Sequence, residues 1–224
     1  MIETPIKVDM WIDIVCPFSY IATSRIQAAA NLVAAPVDIE YHAFQLMPDL
    51  PEDYEGSNAE FFREYRGIPP EELEQRSQPL IRMTAEAGLP YRLQDIQQAS
   101  TLKAHQLIHY AKTRGRQVDA VAALYRAHFA EGKHLGHLDA LLGIAEELGL
   151  DRADVEWSLI SHQHLADVRA DTDRARHLGI QVVPFFIFQG TYSLPGEQEI
   201  EKLVNVLKQL SEELHDVRPI ARGQ

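Results

Sequence analysis

The 224-residue chain has one cysteine, which rules out an internal disulfide framework and a cysteine-rich metal cluster. Its thiol is either inert packing or the centre of the chemistry. Long apolar runs are also missing. Nothing approaches the ~20 residues of a membrane-spanning helix, and the first ten residues lack the basic start and apolar stretch of a secretory signal. The expectation is a cytoplasmic protein with no membrane partner. Basic residues are scarce, 21 Lys and Arg against 33 Asp and Glu, and the net charge of −12 argues against a nucleic-acid partner, whose phosphates require a basic stripe. With 46% apolar and 24% charged residues the composition is that of an ordinary folded protein, and the length fits one large domain or a domain carrying an insertion.

What is present begins with alternation. In residues 7–15, Val8, Met10, Ile12 and Ile14 alternate with Lys7, Asp9, Trp11 and Asp13, a period of two that predicts a strand. Cys16 follows directly, and residues 18–33 carry apolar positions at helical spacing after Pro17, a residue tolerated in a first helical turn. Residues 37–44 alternate again and complete a strand-helix-strand unit. From about Pro48 to about His164 helical periodicity takes over, with helices expected over 58–65, 70–87, 96–114, 118–131, 138–148 and 152–161. A further helix is expected over 163–178. Residues 182–188 are β-rich, Gln189-Gly190 reads as a hairpin turn into 191–194, and residues 197–214 form an amphipathic helix. The order predicts an α/β fold with one mixed sheet and a helical block looped out between its halves.

Two positions stand out chemically. A thiolate is the reactive form of cysteine, and the unpaired N–H groups at a helix N-terminus favour it. Cys16 lies at such a strand-to-helix junction, which separates it from a cysteine that merely fills a core. Pro184 opens a strongly apolar strand, as an edge proline or one with a cis bond in a close approach. Phe18 is expected to be the exposed apolar neighbour of the thiol, and His42, on the second strand, either lines a substrate groove or faces a helix. No metal is expected. His162 and His164 face different sides of a helix, and His134 and His137 lie in a glycine-flanked stretch without an obvious carboxylate set. His105 and His109, four apart on one helix, read as a groove wall or an interface.

The run Cys16-Pro17-Phe18-Ser19-Tyr20, preceded by Asp13-Ile14-Val15, resembles the Cys-Pro-Trp-Cys-Tyr site of the DsbA-like family of the thioredoxin superfamily, at its FrnE-like branch. Residues 179–186, with Val183-Pro184, resemble that family's cis-proline loop. Phe44-Gln45-Leu46-Met47-Pro48, Ser100-Thr101-Leu102-Lys103-Ala104-His105 and Leu124-Tyr125-Arg126-Ala127-His128-Phe129 resemble further family segments, so the likeness covers nearly the whole chain. It implies a thioredoxin-like domain over 1–55 and 165–224 with a helical insertion domain over 56–164. It also implies a cis Val183–Pro184 bond against Cys16, with the Val183 backbone free to pair with a bound peptide or glutathione. Many relatives of this architecture form homodimers, and that expectation comes with the resemblance.

The chain departs from the family where it matters most, because Ser19 stands in the place of the second cysteine. Thiol–disulfide exchange needs a second thiol to resolve the mixed disulfide, and a serine hydroxyl cannot do it. The resemblance with this departure implies a monothiol oxidoreductase: Cys16 and Ser19 form the site, Pro17, Phe18, Val183, Pro184 and His42 surround the substrate, and no cofactor is bound. The partner is a thiol or disulfide protein or small molecule, with glutathione as co-substrate. Ser19 either donates a hydrogen bond to the thiolate or caps local backbone. Two alternatives stay open. One is a glutathione-dependent transferase or isomerase, like the kappa-class glutathione transferases and 2-hydroxychromene-2-carboxylate isomerases, whose Ser-Pro-x-Ser motif Ser19 fits and Cys16 does not. The other is a non-catalytic descendant that binds ligands in the inherited groove.

Overall fold

The computed structural model of the chain describes residues 4–216, with the side chains of residues 215 and 216 left out of the description. Strand β1 (Ile6–Ile12) leads into α1 (Pro17–Asn31) and returns as β2 (Val37–Ala43), which pairs in parallel with β1 from Ile6↔Val37 to Ile12↔Ala43. Strand β5 (Phe185–Phe188) runs antiparallel on the other edge of β1, and β6 (Tyr192–Pro195) joins it through a hairpin, giving the sheet order β2-β1-β5-β6. Gln189 and Gly190 both take positive φ (51° and 70°), and Thr191 N–H donates to the Phe188 carbonyl at 3.1 Å. That is the two-residue turn whose twist matches a hairpin, as Gln189-Gly190 predicted.

Strand β1 is covered on both faces. Val8, Met10 and Ile12 belong to the main core, whereas Trp11, on the opposite face, is fully buried in a second cluster with Cys16, Ile180, Val183 and Ile187. Asp13 is fully buried too. Alternation alone does not reveal a second covered face. Helix α9 (Ile200–Asp216) packs on α1, and its Leu203 and Leu207 enter the main core.

Between the two halves of the sheet lie β3 (Gly56–Ser57), α2 (Asn58–Arg66), α3 (Pro70–Glu86), β4 (Gln97–Gln98), α4 (Leu102–Lys112), α5 (Gln117–Phe129), α6 (Leu138–Glu147), α7 (Arg152–Ile160) and α8 (Leu165–His177). The helix expected over 96–114 starts only at Leu102. Residues 97–98 instead pair antiparallel with 56–57, the Ile96 carbonyl accepts from Asn58 N–H at 2.9 Å, and the buried Gln98 amide donates to Asn58 Oδ1 at 2.8 Å. Backbone and side chains there are committed to a distant segment, so a local helix cannot form. Leu107, Val121, Leu124 and Leu141 share one core with the strands, and the hydrophobic interior is continuous from sheet to insertion.

The outer edge of β2 is closed at Tyr41 by a side chain. Gln117, the first residue of α5, accepts from Tyr41 N–H at 3.1 Å and donates to the Tyr41 carbonyl at 2.8 Å, completing the ladder where a strand is absent. Gln117→Ala would leave both buried backbone groups unpaired, a loss expected to cost about 1–3 kcal/mol in urea denaturation. A change within a few tenths of a kcal/mol would mean that water replaces the amide.

Candidate active site

The turn between β1 and α1 is fixed by backbone before any side chain acts. Cys16 N–H donates to the Asp13 carbonyl at 3.0 Å, Cys16 holds an extended N-cap conformation (φ −89°, ψ 111°), and Tyr20 N–H donates to the Cys16 carbonyl at 3.1 Å. Pro17 takes the first helical position, where its missing N–H costs nothing. The cis Val183–Pro184 bond lies against this turn, and the Cys16 S–H donates to the Val183 carbonyl at 3.6 Å. Gly196 N–H holds the Pro184 carbonyl at 2.8 Å. The Val183 backbone is therefore only half free: its carbonyl faces the thiol, while its N–H has no partner among the described residues.

Electrostatics correct one expectation. Cys16 is 4% exposed, and burial pushes its thiol above the ordinary value. The Ser19 hydroxyl and the Ser19 and Phe18 N–H groups favour the thiolate, and the Asp13 carboxylate opposes it; burial outweighs the donors. The helix N-terminus is in place, yet the closed site holds a protonated thiol. Ser19 is fully buried, and its Oγ has no acceptor among the described residues, so it does not cap backbone. A Cys16 thiolate would supply that acceptor.

Beside the thiol opens a cleft of about 490 Å³. Val15, Cys16, Pro17 and Phe18 form one side, and Leu46 and Met47 a second, held because Leu46 N–H donates to Asp13 Oδ2 at 2.7 Å. Phe61, Phe62 and Arg66 of α2 and Arg76, Leu80 and Met83 of α3 make the facing wall. Phe18, 40% exposed, stands at the rim as expected. The α2–α3 wall was invisible in the sequence, because the two polar helices, of 9 and 17 residues, carry no motif; the adjacent Phe61 and Phe62 were the available signal.

His42 does not line this cleft. It is 4% exposed, stacks on Trp11 with ring centroids 4.5 Å apart, and places Nδ1 2.8 Å from Asp171 Oδ1 and Nε2 2.8 Å from Asp9 Oδ1. Asp171 Oδ2 also accepts from Ala43 N–H at 2.8 Å and faces His109 Nε2 at 2.9 Å. Of the sequence's two alternatives for His42 the structure shows the second, a ring facing α8, because two acids complementary to it lie on β1 and α8. Burial alone would lower the His42 pKa; the hydrogen bonds to Asp171 and Asp9 outweigh it and raise the value to about 9. Burial would likewise raise Asp171, but His109 and His42 hold its carboxyl well below the usual range.

Two measurements follow. Alkylation of Cys16 by iodoacetamide should reach half its maximal rate above pH 9.0, the ordinary thiol value, and a midpoint at or below it would contradict the burial effect. The charge on His42 stabilises the fold fully below its ordinary value of 6.5, and this contribution is lost as pH rises through about 9. The Asp171 contribution is present above 3.8 and lost as pH falls. Wild-type stability in denaturant should therefore decline between pH 6.5 and 9. Asp171→Asn should cost about 3 kcal/mol and flatten that decline.

Comparison with known proteins agrees with this geometry. The model of the DSBA-like thioredoxin domain family matches residues 7–208. A probable DsbA oxidoreductase from Streptomyces coelicolor is similar at a TM-score of 0.84, with 28% identity over 98% of this chain and 94% of that one. A 2-hydroxychromene-2-carboxylate isomerase superposes at 0.69, with 19% identity over 95% and 100% of the chains. The cytosolic disulfide reductase DsbM from Pseudomonas aeruginosa, solved with GSH, superposes at 0.63, with 18% identity over 94% and 98%. The last two share the fold.

Proposed function

The chain belongs to the DSBA-like thioredoxin domain family, and from that premise we propose that it is a monothiol oxidoreductase whose Cys16 forms mixed disulfides with glutathione or a thiol substrate. The observation that carries this reading is the pairing of Cys16 at the first turn of α1 with a buried, unpartnered Ser19 hydroxyl where a resolving thiol would stand. The Cys16 thiolate attacks one sulfur of a disulfide, a Cys16–S–S–R bond forms, and the other sulfur leaves as thiolate. An external thiolate then attacks the R sulfur, releasing Cys16 as thiolate and carrying R away as a second disulfide. Net, one substrate sulfur is freed as thiolate and one external thiol takes its place in the disulfide; a second external thiol attacking that product completes the reduction, and Ser19 Oγ donates to the Cys16 thiolate before attack and on release. Glutathione as the external thiol suits a cytoplasmic setting; no helix among the described residues is long and apolar enough to cross a membrane. The DsbM structure with GSH supports glutathione as co-substrate on the shared fold.

The cleft favours a small-molecule substrate with apolar bulk, since aromatic, Leu and Met side chains dominate its wall and Arg66 and Arg76 stand at it. That same feature suits the second reading, a glutathione-dependent transferase or isomerase, which would not need the thiol.

Intact-mass analysis after incubation with oxidised glutathione distinguishes them. The wild type should gain one glutathione that excess thiol removes, and Cys16→Ser should gain none. Ser19→Ala should slow adduct formation about tenfold or more, as loss of one hydrogen bond to a charged acceptor predicts. Ser19→Cys should restore dithiol reduction of insulin. No adduct on the wild type, together with chlorodinitrobenzene turnover that survives Cys16→Ser, would assign the transferase reading instead.

A further inference from the structure

Away from the thiol, three side chains that the sequence separates meet at one point. Glu55, just before β3, directs its carboxylate at His137 Nε2 (2.6 Å) and lies 3.7 Å from His134 Nε2. One donor atom from each of the three lies within 4.8 Å of the others. The two imidazoles stack with centroids 4.2 Å apart, and the Tyr54 carbonyl lies 3.0 Å from His134 Nε2. His134 is 8% exposed and His137 opens to solvent, so the group has a buried floor and an open mouth. His134 Nδ1 has no partner among the described residues, so the ring can carry its proton there when Nε2, which otherwise donates to the Tyr54 carbonyl, takes a cation. Glycine is needed for this arrangement: a Cβ at Gly136 would stand 2.8 Å from His134 Cε1 and displace the ring.

We propose that Glu55, His134 and His137, with the Tyr54 carbonyl, form a site for a borderline divalent cation of the zinc class. Two imidazoles and a carboxylate are a donor set that such ions take, with an open position left for water or a further ligand. Tetrahedral zinc with bonds of about 2.0–2.1 Å sets its donors about 3.3 Å apart. The separations of 2.6 Å (His137 to Glu55 Oε1), 3.7 Å (His134 to Glu55 Oε2) and 3.0 Å (His134 to the Tyr54 carbonyl) straddle that value, and one donor of each of the three side chains lies within 4.8 Å of the others. The alternative use, a solvated pair between Glu55 and His137 with His134 Nε2 on the Tyr54 carbonyl, is worth about 0–1 kcal/mol for the exposed pair and leaves the buried His134 Nδ1 without a partner among the described residues. No Lys or Arg pairs with Glu55 among the described residues, and the chain's net charge of −12 favours a cation.

The site would connect to the cleft. The Tyr54 ring meets Phe61 edge-on at 6.1 Å and Tyr65 at 5.7 Å, and Phe61 lines the thiol cleft. A bound ion would tie the segment entering α2 to the loop before α6 and stiffen that wall. This inference does not depend on the thiol chemistry.

The test is calorimetric titration of zinc into tag-free, full-length Cys16→Ser protein, which removes the thiol as a competing ligand. One equivalent should bind and raise the melting temperature. Glu55→Gln with His137→Ala, both exposed positions, should weaken binding at least tenfold and abolish the thermal shift. His177→Ala, a histidine outside the cluster, should change neither. Equal zinc affinity in all three proteins, or a thermal shift that survives the double substitution, would overturn the site.

Discussion

One buried carboxylate organises the centre of the molecule. Asp13 has no solvent contact, and its Oδ2 takes the Leu46 N–H at 2.7 Å while Oδ1 faces His105 of α4 at 3.3 Å. Its backbone carbonyl accepts from Cys16 N–H and from the Tyr125 hydroxyl of α5 at 3.1 Å. A buried charge survives only when hydrogen bonds replace its water. Here the carboxylate is met by the Leu46 loop and by His105 of α4, while the backbone carbonyl of the same residue takes the cysteine turn and the Tyr125 hydroxyl of α5. Satisfying Asp13 therefore fixes where Cys16 stands relative to everything around it.

The same arrangement sets the character of the thiol. Asp13 adds negative potential near the sulfur, and the cluster of Trp11, Ile180, Val183 and Ile187 excludes water from it. Both favour the protonated form, against the donors of the first helical turn. A site built in this way stores its cysteine as a thiol hydrogen-bonded to Val183. Activation then depends on whatever displaces that contact and gives the Ser19 hydroxyl a thiolate to serve. The Ser19 hydroxyl, buried and unpartnered among the described residues, favours the thiolate but brings no second sulfur.

Legibility in the sequence follows the range of the interactions. The alternating strands, the Cys16-Pro17 helix start, the Gln189-Gly190 turn and the Val183-Pro184 loop are written in neighbouring residues, and a periodicity or a dipeptide reveals them. Features made by distant pairings are not. Trp11 alternates with the core residues of β1, and the cover over its face appears only when α8 supplies the carbonyl of Asp171 for its indole N–H at 3.2 Å. His42 reads either as a groove residue or as one facing a helix until Asp9 and Asp171 meet its two nitrogens, and residues 96–101 read as helix until 56–58 claim them. His134 and His137 read as lacking a carboxylate because Glu55 is far off in the chain. In each case the residue type was visible and its partner was not.

The histidine pair on α4 shows how the insertion finds its place. His105 and His109 are four residues apart, so they share a helix face about 6 Å apart along the axis. The first meets Asp13, on the N-terminal half of the split sheet domain, and the second meets Asp171, on the C-terminal half. Neither half alone offers both acceptors. Seating α4 therefore requires the segment that ends in Cys16 and the segment that leads to Val183 to be in register, which is the condition for the thiol and the proline loop to meet. The insertion that shapes the cleft is docked by the same two carboxylates that bring the halves of the site together.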